Sequence, residues 1–292
     1  MSSFTFSRVT IIQALSPNDF QSGNELSGYI NGLREDFPEL PTVDFVNTSN
    51  SDEFFQSIEN LIVDCEQKDE HPILHIEIHG LLDKSGLSFP DDSTLKWKDL
   101  ALPLARLNRA TGFNLVVCVA ACFGGHFLEA ISPTDPSPCF ALIGPTDLTD
   151  GSELLGSFRS FYRALLTKKD ANAALADLHA HRLNEGGFLT STAEDWFFKL
   201  VQGYLEEKCT KERLAERFRS IQETQQAEGT VLTPMGANMA FQMGKTLALT
   251  FLHRRFETFF MTRDIPSNSS RFSPSFEEAN RRALQFFVSQ GY

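Results

Sequence analysis

The chain has 292 residues, 41% of them hydrophobic and 22% charged, values that are ordinary for a globular protein of one large or two modest domains. Its net charge of −12 argues against a nucleic-acid partner, because binding to a phosphate backbone depends on neutralisation by Lys and Arg. The N-terminal residues lack the basic and apolar regions of a secretory signal, and no apolar stretch is long enough to cross a membrane.

The first 80 residues alternate between strand and helix patterns. Three runs rich in β-branched or apolar residues predict strands: residues 8–15, 42–47 and 71–80. Two segments with apolar residues at helical spacing predict helices: residues 24–36 and 50–62. Ser51 or Asp52 is expected to cap the second helix. Strands that alternate with helices of this length predict a parallel sheet with helices on its faces.

The following hundred residues continue the same alternation. A polar loop is expected over residues 80–93. The helix predicted after this loop contains Pro103, which is expected to break or kink it. Two further apolar runs predict strands: residues 113–122 and 139–144. Further helices are predicted in these segments: residues 94–110, 126–131, 152–166 and 172–181. The predicted fold is therefore α/β, with a mainly parallel sheet between helices.

The pattern changes after Gly186 and Gly187. Residues 190–292 show helical periods and no convincing strand. The predicted helices are residues 191–210, 211–228, 235–261 and 275–289. We therefore predict a domain over residues 1–186 and an all-helical region over residues 187–292, which either packs on the sheet or docks a protein partner.

Two of the predicted strands end at reactive side chains with glycine close behind. One ends at His79 and Gly80, and the other at Cys122, followed by Gly124 and Gly125. Ligand sites of parallel α/β sheets lie at the carboxyl ends of the strands. If the two strands are parallel neighbours, the imidazole and the thiol emerge at one edge of the sheet.

A histidine and a cysteine at one edge have the residue types for nucleophilic catalysis. His79 can act as general base and acid, and Cys122 as the nucleophile. A helix that begins just after Cys122 would favour the thiolate. The backbone N–H groups of Gly80 and Cys122 can form an oxyanion hole.

The stretches around these strand ends resemble the caspase-like cysteine peptidases, most closely their bacterial CHAT-type branch. The similar stretches are residues 76–80, 86–87, 95–100, 117–125, 143–150, 158–165 and 173–175. The resemblance covers about residues 8–185 and implies a caspase-like fold and a thiol endopeptidase without metal or other cofactor. It also implies a His79–Cys122 dyad and, for such bacterial enzymes, activation by a signal in antiviral defence or regulated cell death.

Two positions depart from the pattern of the resembling families. Ala120 stands where caspases have Gln and metacaspase-like members have Asp, and Phe123 stands where caspases usually have Arg. Neither a preference for aspartate nor one for Arg or Lys at the cleavage site therefore transfers. Asp147 and Asp150, past the next strand, are predicted to line the substrate pocket.

The remaining thiols and imidazoles have structural interpretations. Four cysteines are expected to be small buried residues: Cys65, Cys118, Cys139 and Cys209. His75 shares a strand face with His79 and is expected to be its structural neighbour. Because the five cysteines lack CxxC spacing, we expect free thiols in a reducing compartment, no metal site and a cytoplasmic protein.

Two other functions stay open on the sequence. The chain could be a catalytically silent interaction protein of the same fold, or an acyl or thioester hydrolase that uses the same dyad. We expect a protein or peptide substrate, and a protein partner that activates or inhibits the enzyme through residues 187–292. The cleavage preference, the activating signal and the oligomeric state are not encoded in any recognisable motif.

Overall fold

The computed structural model describes residues 4–132, 134–227 and 237–290, which divide into two units. The first unit contains the described residues up to Ile131 and those from Pro136 to Ala193. The second contains those from Glu194 onward, together with the described residues of the segment 132–135. The division between Ala193 and Glu194 comes after the predicted boundary at residue 186.

The first unit is built on a mixed, mainly parallel sheet. Its strands are β1 (Arg8–Ala14), β2 (Thr42–Asn47), β3 (Pro72–Gly80), β4 (Gly86–Ser88), β5 (Thr94–Lys96), β6 (Val116–Ala120), β7 (Ala141–Pro145) and β8 (Phe188–Thr192). Six strands follow the order β2-β1-β3-β6-β7-β8, and all neighbours run parallel except β7 and β8. The short β4 and β5 form an antiparallel extension from the end of β3.

Helices cover the two faces of this sheet. They are α1 (Ser22–Asp36), α2 (Ser51–Lys68), α3 (Trp97–Ala110), α4 (Gly151–Lys168) and α5 (Ala171–Ala180). Helix α4 packs against α1 and α5, whereas α2 packs against α3. In the sheet, β2 and β3 lie on opposite sides of β1, so the connections β1-α1-β2 and β2-α2-β3 run in opposite directions. Because such crossovers are right-handed, α1 and α2 lie on opposite faces of the sheet. The α/β architecture predicted from the sequence is thus confirmed.

The central strands are buried because both faces of the sheet are covered. Every residue of β1 and β6 is buried, and β3 is buried until its last two residues. Such strands read as almost continuous apolar runs, which is why the sequence predicts them clearly. The outer strand β2 is half-buried along most of its length.

Three local expectations need correction. Asn50 caps α2, since its side chain accepts a hydrogen bond from the Glu53 amide; the expected caps Ser51 and Asp52 lie inside the helix. Helix α3 runs from Trp97 to Ala110 through Pro103, so of the expected break or kink the break is absent. The predicted loop 80–93 holds β4, whose pairing with β3 was not foreseen because a three-residue strand carries too little periodicity.

Strand β8 is a larger departure, because we expected no strand after residue 190. Three of its five residues are Thr or Ser, and its burial does not alternate along the strand. The strand exists because β7 offers a free edge, along which it pairs antiparallel from Pro145↔Phe188 to Ala141↔Thr192. Pairing with a remote segment has outweighed a weak local preference.

The second unit is helical in its described residues. Its helices are α6 (Ala193–Lys208), α7 (Lys211–Ala227), α8 (Ala237–Phe259), α9 (Asn268–Arg271) and α10 (Ser273–Ser289). The predicted helix ends at residues 228 and 235 lie outside the described residues. An aromatic cluster supports the unit: the ring centroid of Phe260 lies 5.2 Å from that of Phe197 and 4.4 Å from that of Phe272. None of the helices in the described ranges has the length and apolar character needed to cross a membrane.

Candidate active site

Strands β3 and β6 are parallel neighbours, which confirms their predicted pairing. In their register, Glu77 lies opposite Ala120 at the carboxyl end of the ladder. His79 is two residues beyond Glu77 and still within β3, and Cys122 is two residues beyond Ala120, just past the end of β6. Both residues follow the buried part of the sheet at the same edge.

The backbones of the two strand ends are in direct contact at Gly80. A Cβ atom at this position would lie 1.8 Å from the carbonyl oxygen of Cys122 and 3.3 Å from its Cα. Only glycine permits this approach, because any side chain would force one of the two backbones to move. Pairing of His79 with Ser88 in β4 holds the other side of this strand end. Glycine at position 80 therefore allows the backbone just after His79 to contact the backbone of Cys122.

A tight turn follows Cys122. Phe123 has a left-handed backbone with φ of 61°, and a 3₁₀ helix, Gly124–Ala130, begins immediately after it. A Cβ on Gly124 would lie 2.4 Å from the carbonyl oxygen of Val119, so the chain doubles back onto β6. A bulky residue in the left-handed region is costly and is found where the surrounding structure imposes it, often at functional sites. The buried Phe123 ring, with Lys84 Nζ 4.9 Å from its centroid, holds the turn in place.

The imidazole of His79 is bonded to a carboxylate that the sequence analysis did not single out. Its Nε2 lies 2.9 Å from Asp19 Oδ2, and the His79 side chain is 59% exposed. The hydrogen bond with His79 is the largest of the effects that lower the pKa of Asp19 below its ordinary value of 3.8. The carboxylate therefore stays ionised at neutral pH, and its contribution is lost only as pH falls through that lowered pKa.

The thiol of Cys122 lies against the loop between β7 and α4. Its Sγ is 3.5 Å from both the carbonyl oxygen and the backbone nitrogen of Thr149. The N–H donates to the sulfur, and the protonated thiol can donate to the carbonyl. All five cysteines are free of disulfide bonds. Cys122 is half-buried, whereas the other four are buried. Cys122 is thus the most exposed of the five cysteines.

The two predicted pocket carboxylates lie on the same loop, and each has a partner of its own. Asp147 Oδ1 accepts a hydrogen bond from the backbone N–H of Leu148 at 3.0 Å. Asp150 is the N-cap of α4 and accepts from the backbone N–H of Ser152 at 2.7 Å. The bonds from Ser152 are also what lowers the pKa of Asp150. Their role as a substrate pocket stays a prediction.

Behind the strand ends lies a buried polar chain. His75 Nε2 lies 2.9 Å from Glu77 Oε1, and the second carboxylate oxygen accepts a hydrogen bond of 2.7 Å from the Ser22 hydroxyl. On the other side, His75 Nδ1 lies 3.2 Å from the hydroxyl of Tyr162, which donates to Cys118 Sγ at 3.7 Å. All five side chains are buried and partnered, which gives this histidine and this cysteine a structural role.

The described parts of the chain also contain clefts away from the two strand ends. No group of three or more His, Cys, Asp or Glu residues in these described parts has the arrangement to hold a metal ion. A cleft of about 460 Å³ beside α4 and α5 includes Arg163 and His181. Another, of about 550 Å³, lies along α1 and includes Arg159. Neither cleft is lined by His79 or Cys122.

Sequence reasoning missed Asp19 and Thr149, although one signal was available. The carboxyl ends of parallel strands share an edge, and Asp19 lies in the loop that follows β1. Applying that rule to β1 as well as to β3 and β6 would have placed this carboxylate near His79. The contact of Thr149 with the thiol is made by its backbone, so no side-chain pattern could have revealed it.

Comparison with known proteins identifies no relative. No model of a known protein family matches the chain. A search of curated proteins also finds no significant match. Inference about function therefore depends on the chain's own residues and geometry.

Proposed function

We propose that this chain is a cysteine endopeptidase of the caspase-like type, similar to its bacterial CHAT branch, with His79 and Cys122 as the catalytic dyad. The observation that supports it most is the parallel register of β3 and β6, which brings both residues to one edge. Contact between Gly80 and the backbone of Cys122 joins the two strand ends there. Cys122 and the imidazole of His79 are both partly exposed, as a nucleophile and its base must be to meet a substrate.

In the first half of the reaction, the thiolate of Cys122 attacks the carbonyl carbon of a peptide bond. A sulfur–carbon bond forms, and the carbonyl oxygen takes up negative charge opposite the N–H groups of Gly80 and Cys122. The tetrahedral species collapses, the carbon–nitrogen bond breaks, and the imidazolium of His79 gives its proton to the leaving amine. The product is an acyl-enzyme and a free amine.

In the second half, His79 takes a proton from a water molecule, which attacks the acyl carbon. The sulfur–carbon bond breaks and returns the electron pair to Cys122 as thiolate, and the carboxylic acid product leaves. His79 is again protonated, so the dyad is restored as a thiolate–imidazolium pair. Proton transfer by a positioned imidazole contributes about 10²- to 10⁴-fold to such steps.

The same proposal includes a cytoplasmic location and a protein partner. All five cysteines are free, as thiols are in a reducing compartment. We further propose that the region 187–292 docks an activating or inhibiting protein. Two exposed apolar side chains, Leu284 and Val288, are four residues apart on α10 and so share a helix face on which a partner could pack. Antiviral defence or regulated cell death is the process that the resemblance suggests.

The direct test is labelling with biotinylated peptidyl acyloxymethyl ketones that differ in the residue next to the reactive group. We expect at least one probe to modify Cys122. Labelling should be lost in Cys122→Ala and His79→Ala and retained in Cys118→Ala, the matched cysteine variant from the sheet core. Proteome-wide identification of new peptide termini, with Cys122→Ala as control, should then show cleavage that depends on this thiol.

Two outcomes would contradict the proposal. If no probe labels the wild-type protein and no new termini appear, the chain is a silent interaction protein of this fold. If Cys122 hydrolyses thioester or ester substrates but generates no new termini, the dyad serves an acyl hydrolase. Both outcomes replace the peptidase assignment.

A further inference from the structure

The loop between β1 and α1 carries a carboxylate to the imidazole of the dyad. We propose that Asp19 is a positioning residue that fixes the orientation and the tautomer of His79 and stabilises its protonated form. The inference rests on the proposed His79–Cys122 dyad and assigns it a third member from outside the two strands. Asp19 is 60 residues away from His79 in sequence and lies 2.9 Å from its Nε2.

The position of Asp19 is set by the loop and not by His79 alone. Its Oδ2 also accepts the backbone N–H of Ser16 at 2.9 Å, and its own N–H donates to the Ser16 carbonyl. Gln21 Nε2 donates to the carbonyl oxygens of Ser16 and Asp19, at 2.8 and 2.9 Å. Gln13 of β1 in turn donates to the Gln21 side chain at 2.7 Å. These hydrogen bonds hold the Asp19 carboxylate in place independently of its contact with His79.

The start of α1 fixes the other end of this loop. The hydroxyl of Ser22 donates to the buried carboxylate of Glu77, two residues before His79 on β3. A Cβ on Gly23 would lie 2.9 Å from Gln13 Oε1, so the helix start is packed tightly against β1. The strand that carries the imidazole and the loop that carries Asp19 are thus joined through buried side chains.

Several other charged side chains on the loops of this edge have partners of their own. Asp83 accepts hydrogen bonds from Ser85, Lys84 lies over the Phe123 ring, Asp147 accepts from the Leu148 amide, and Asp150 caps α4. On the β6 side, the ionisable groups that follow the strand are the Cys122 thiol and the His126–Glu129 pair, in which Nδ1 lies 2.8 Å from Oε1. Within the described ranges, Asp19 is the charged side chain bonded to the imidazole.

This contact has a chemical consequence for the dyad. When Nε2 donates its hydrogen to Asp19, Nδ1 is the nitrogen that remains to exchange a proton with the thiol or the substrate. A fixed negative charge at Nε2 favours the imidazolium and thereby the thiolate that pairs with it. Loss of the charge should leave more of the dyad as neutral thiol and neutral imidazole at neutral pH.

The test is the rate of alkylation of Cys122 by iodoacetamide between pH 5 and 10, in the full-length protein. In Asp19→Asn, the amide oxygen can still accept from the Ser16 N–H and from His79, so the variant removes the charge and keeps the turn. We expect its alkylation rate at pH 7 to fall by about threefold or more, since a partly exposed ion pair contributes on the order of 1 kcal/mol. The rate should recover at alkaline pH, where the thiol ionises without a charged partner. Alkylation of Cys118 alongside Cys122 would identify a variant that has merely lost its fold, because Cys118 is buried in the folded protein.

Matched variants separate the possible failures. Asp83→Asn removes another carboxylate from the same edge and should leave the pH profile unchanged. If His79→Ala also leaves the profile unchanged, there is no dyad and the proposed function fails. If His79→Ala slows alkylation but Asp19→Asn behaves like wild type, or if Asp83→Asn causes the same shift, only the role of Asp19 is overturned.

Discussion

The middle of the sheet and its carboxyl edge each hold one histidine and one cysteine. Both histidines are on β3, one cysteine is on β6, and the other lies just beyond the end of β6. In the middle, His75 lies opposite Cys118 in the register, and both are buried. At the edge, His79 is 59% exposed and Cys122 is half-buried. The same residue types, one pair four residues beyond the other, thus have different chemistry because only the second pair lies beyond the buried part of the sheet.

Electrostatics reinforce this difference. Burial raises the pKa of the Cys118 thiol to about 12, and its neighbour Tyr162 is a neutral hydroxyl. Cys122 instead lies beside the backbone N–H of Thr149 and next to the end of β3, whose last two residues are His79 and Gly80. A thiol needs access and a partner for its ionised form to be a nucleophile, and the core supplies neither.

The largest expected effect is selective alkylation at the edge. With native protein and iodoacetamide at pH 8, Cys122 should react at least about 10⁴-fold faster than Cys118, because a thiol with a pKa near 12 is almost wholly protonated and this one is also inaccessible. Mass spectrometry of the five cysteine-containing peptides, with a urea-denatured control, measures the rates. Comparable modification of both thiols in folded protein would remove the distinction between core and edge.

Histidine substitutions should separate stability from reactivity. His75→Ala leaves the buried carboxylate of Glu77 without its main partner, so we expect the free energy of unfolding to fall by about 3–5 kcal/mol. His79→Ala removes only a partly exposed pair with Asp19, which contributes less than about 1 kcal/mol. Urea denaturation followed by circular dichroism compares the two variants. Equal destabilisation would show that the edge histidine is structural as well.

A methyl group at Gly80 should disturb the junction between the two strand ends. The added Cβ would lie 1.8 Å from the Cys122 carbonyl oxygen, so Gly80→Ala must displace backbone and should cost about 1–3 kcal/mol. Gly28→Ala is the matched control: it has no heavy atom within 4 Å and lies in α1, where Ala is preferred by about 1 kcal/mol. Thermal unfolding of both variants gives the comparison. A Gly80→Ala protein as stable as wild type would mean that the strand ends are not in contact.

The buried thiols should also make the fold sensitive to alkali. Burial raises the pKa of both Cys65 and Cys118 to about 12, whereas an unfolded thiol ionises near 8.5. Their stabilising effect is therefore complete below that pH and is lost as pH rises towards 12, by about 1.4 kcal/mol per pH unit for each thiol. Urea midpoints of wild type and Cys118→Ala between pH 8 and 10 should diverge in slope. Parallel slopes would show that the core thiol is not shielded.

Much of the sheet unit could be predicted because its patterns are local. The runs rich in apolar residues at β3 and β6 identify buried strands, and the alternation of strands with α1 and α2 implies parallel pairing. Strand β8 escaped prediction because three of its five residues are Thr or Ser and its burial does not alternate, and only the free edge of β7 makes these residues a strand. Asn50 was missed as the cap of α2 because Ser51 and Asp52 beside it are equally good capping types.

At the candidate site, the sequence by itself determined that a histidine and a cysteine each end a buried strand with glycine behind. Tertiary structure decided what each of them touches. Asp19 reaches His79 across 60 residues, and Thr149 reaches Cys122 across 27, through loops whose local sequence says nothing of these distances. Strand periodicity depends on near neighbours and can be read along the chain, whereas these contacts depend on which loops the parallel sheet brings to one edge.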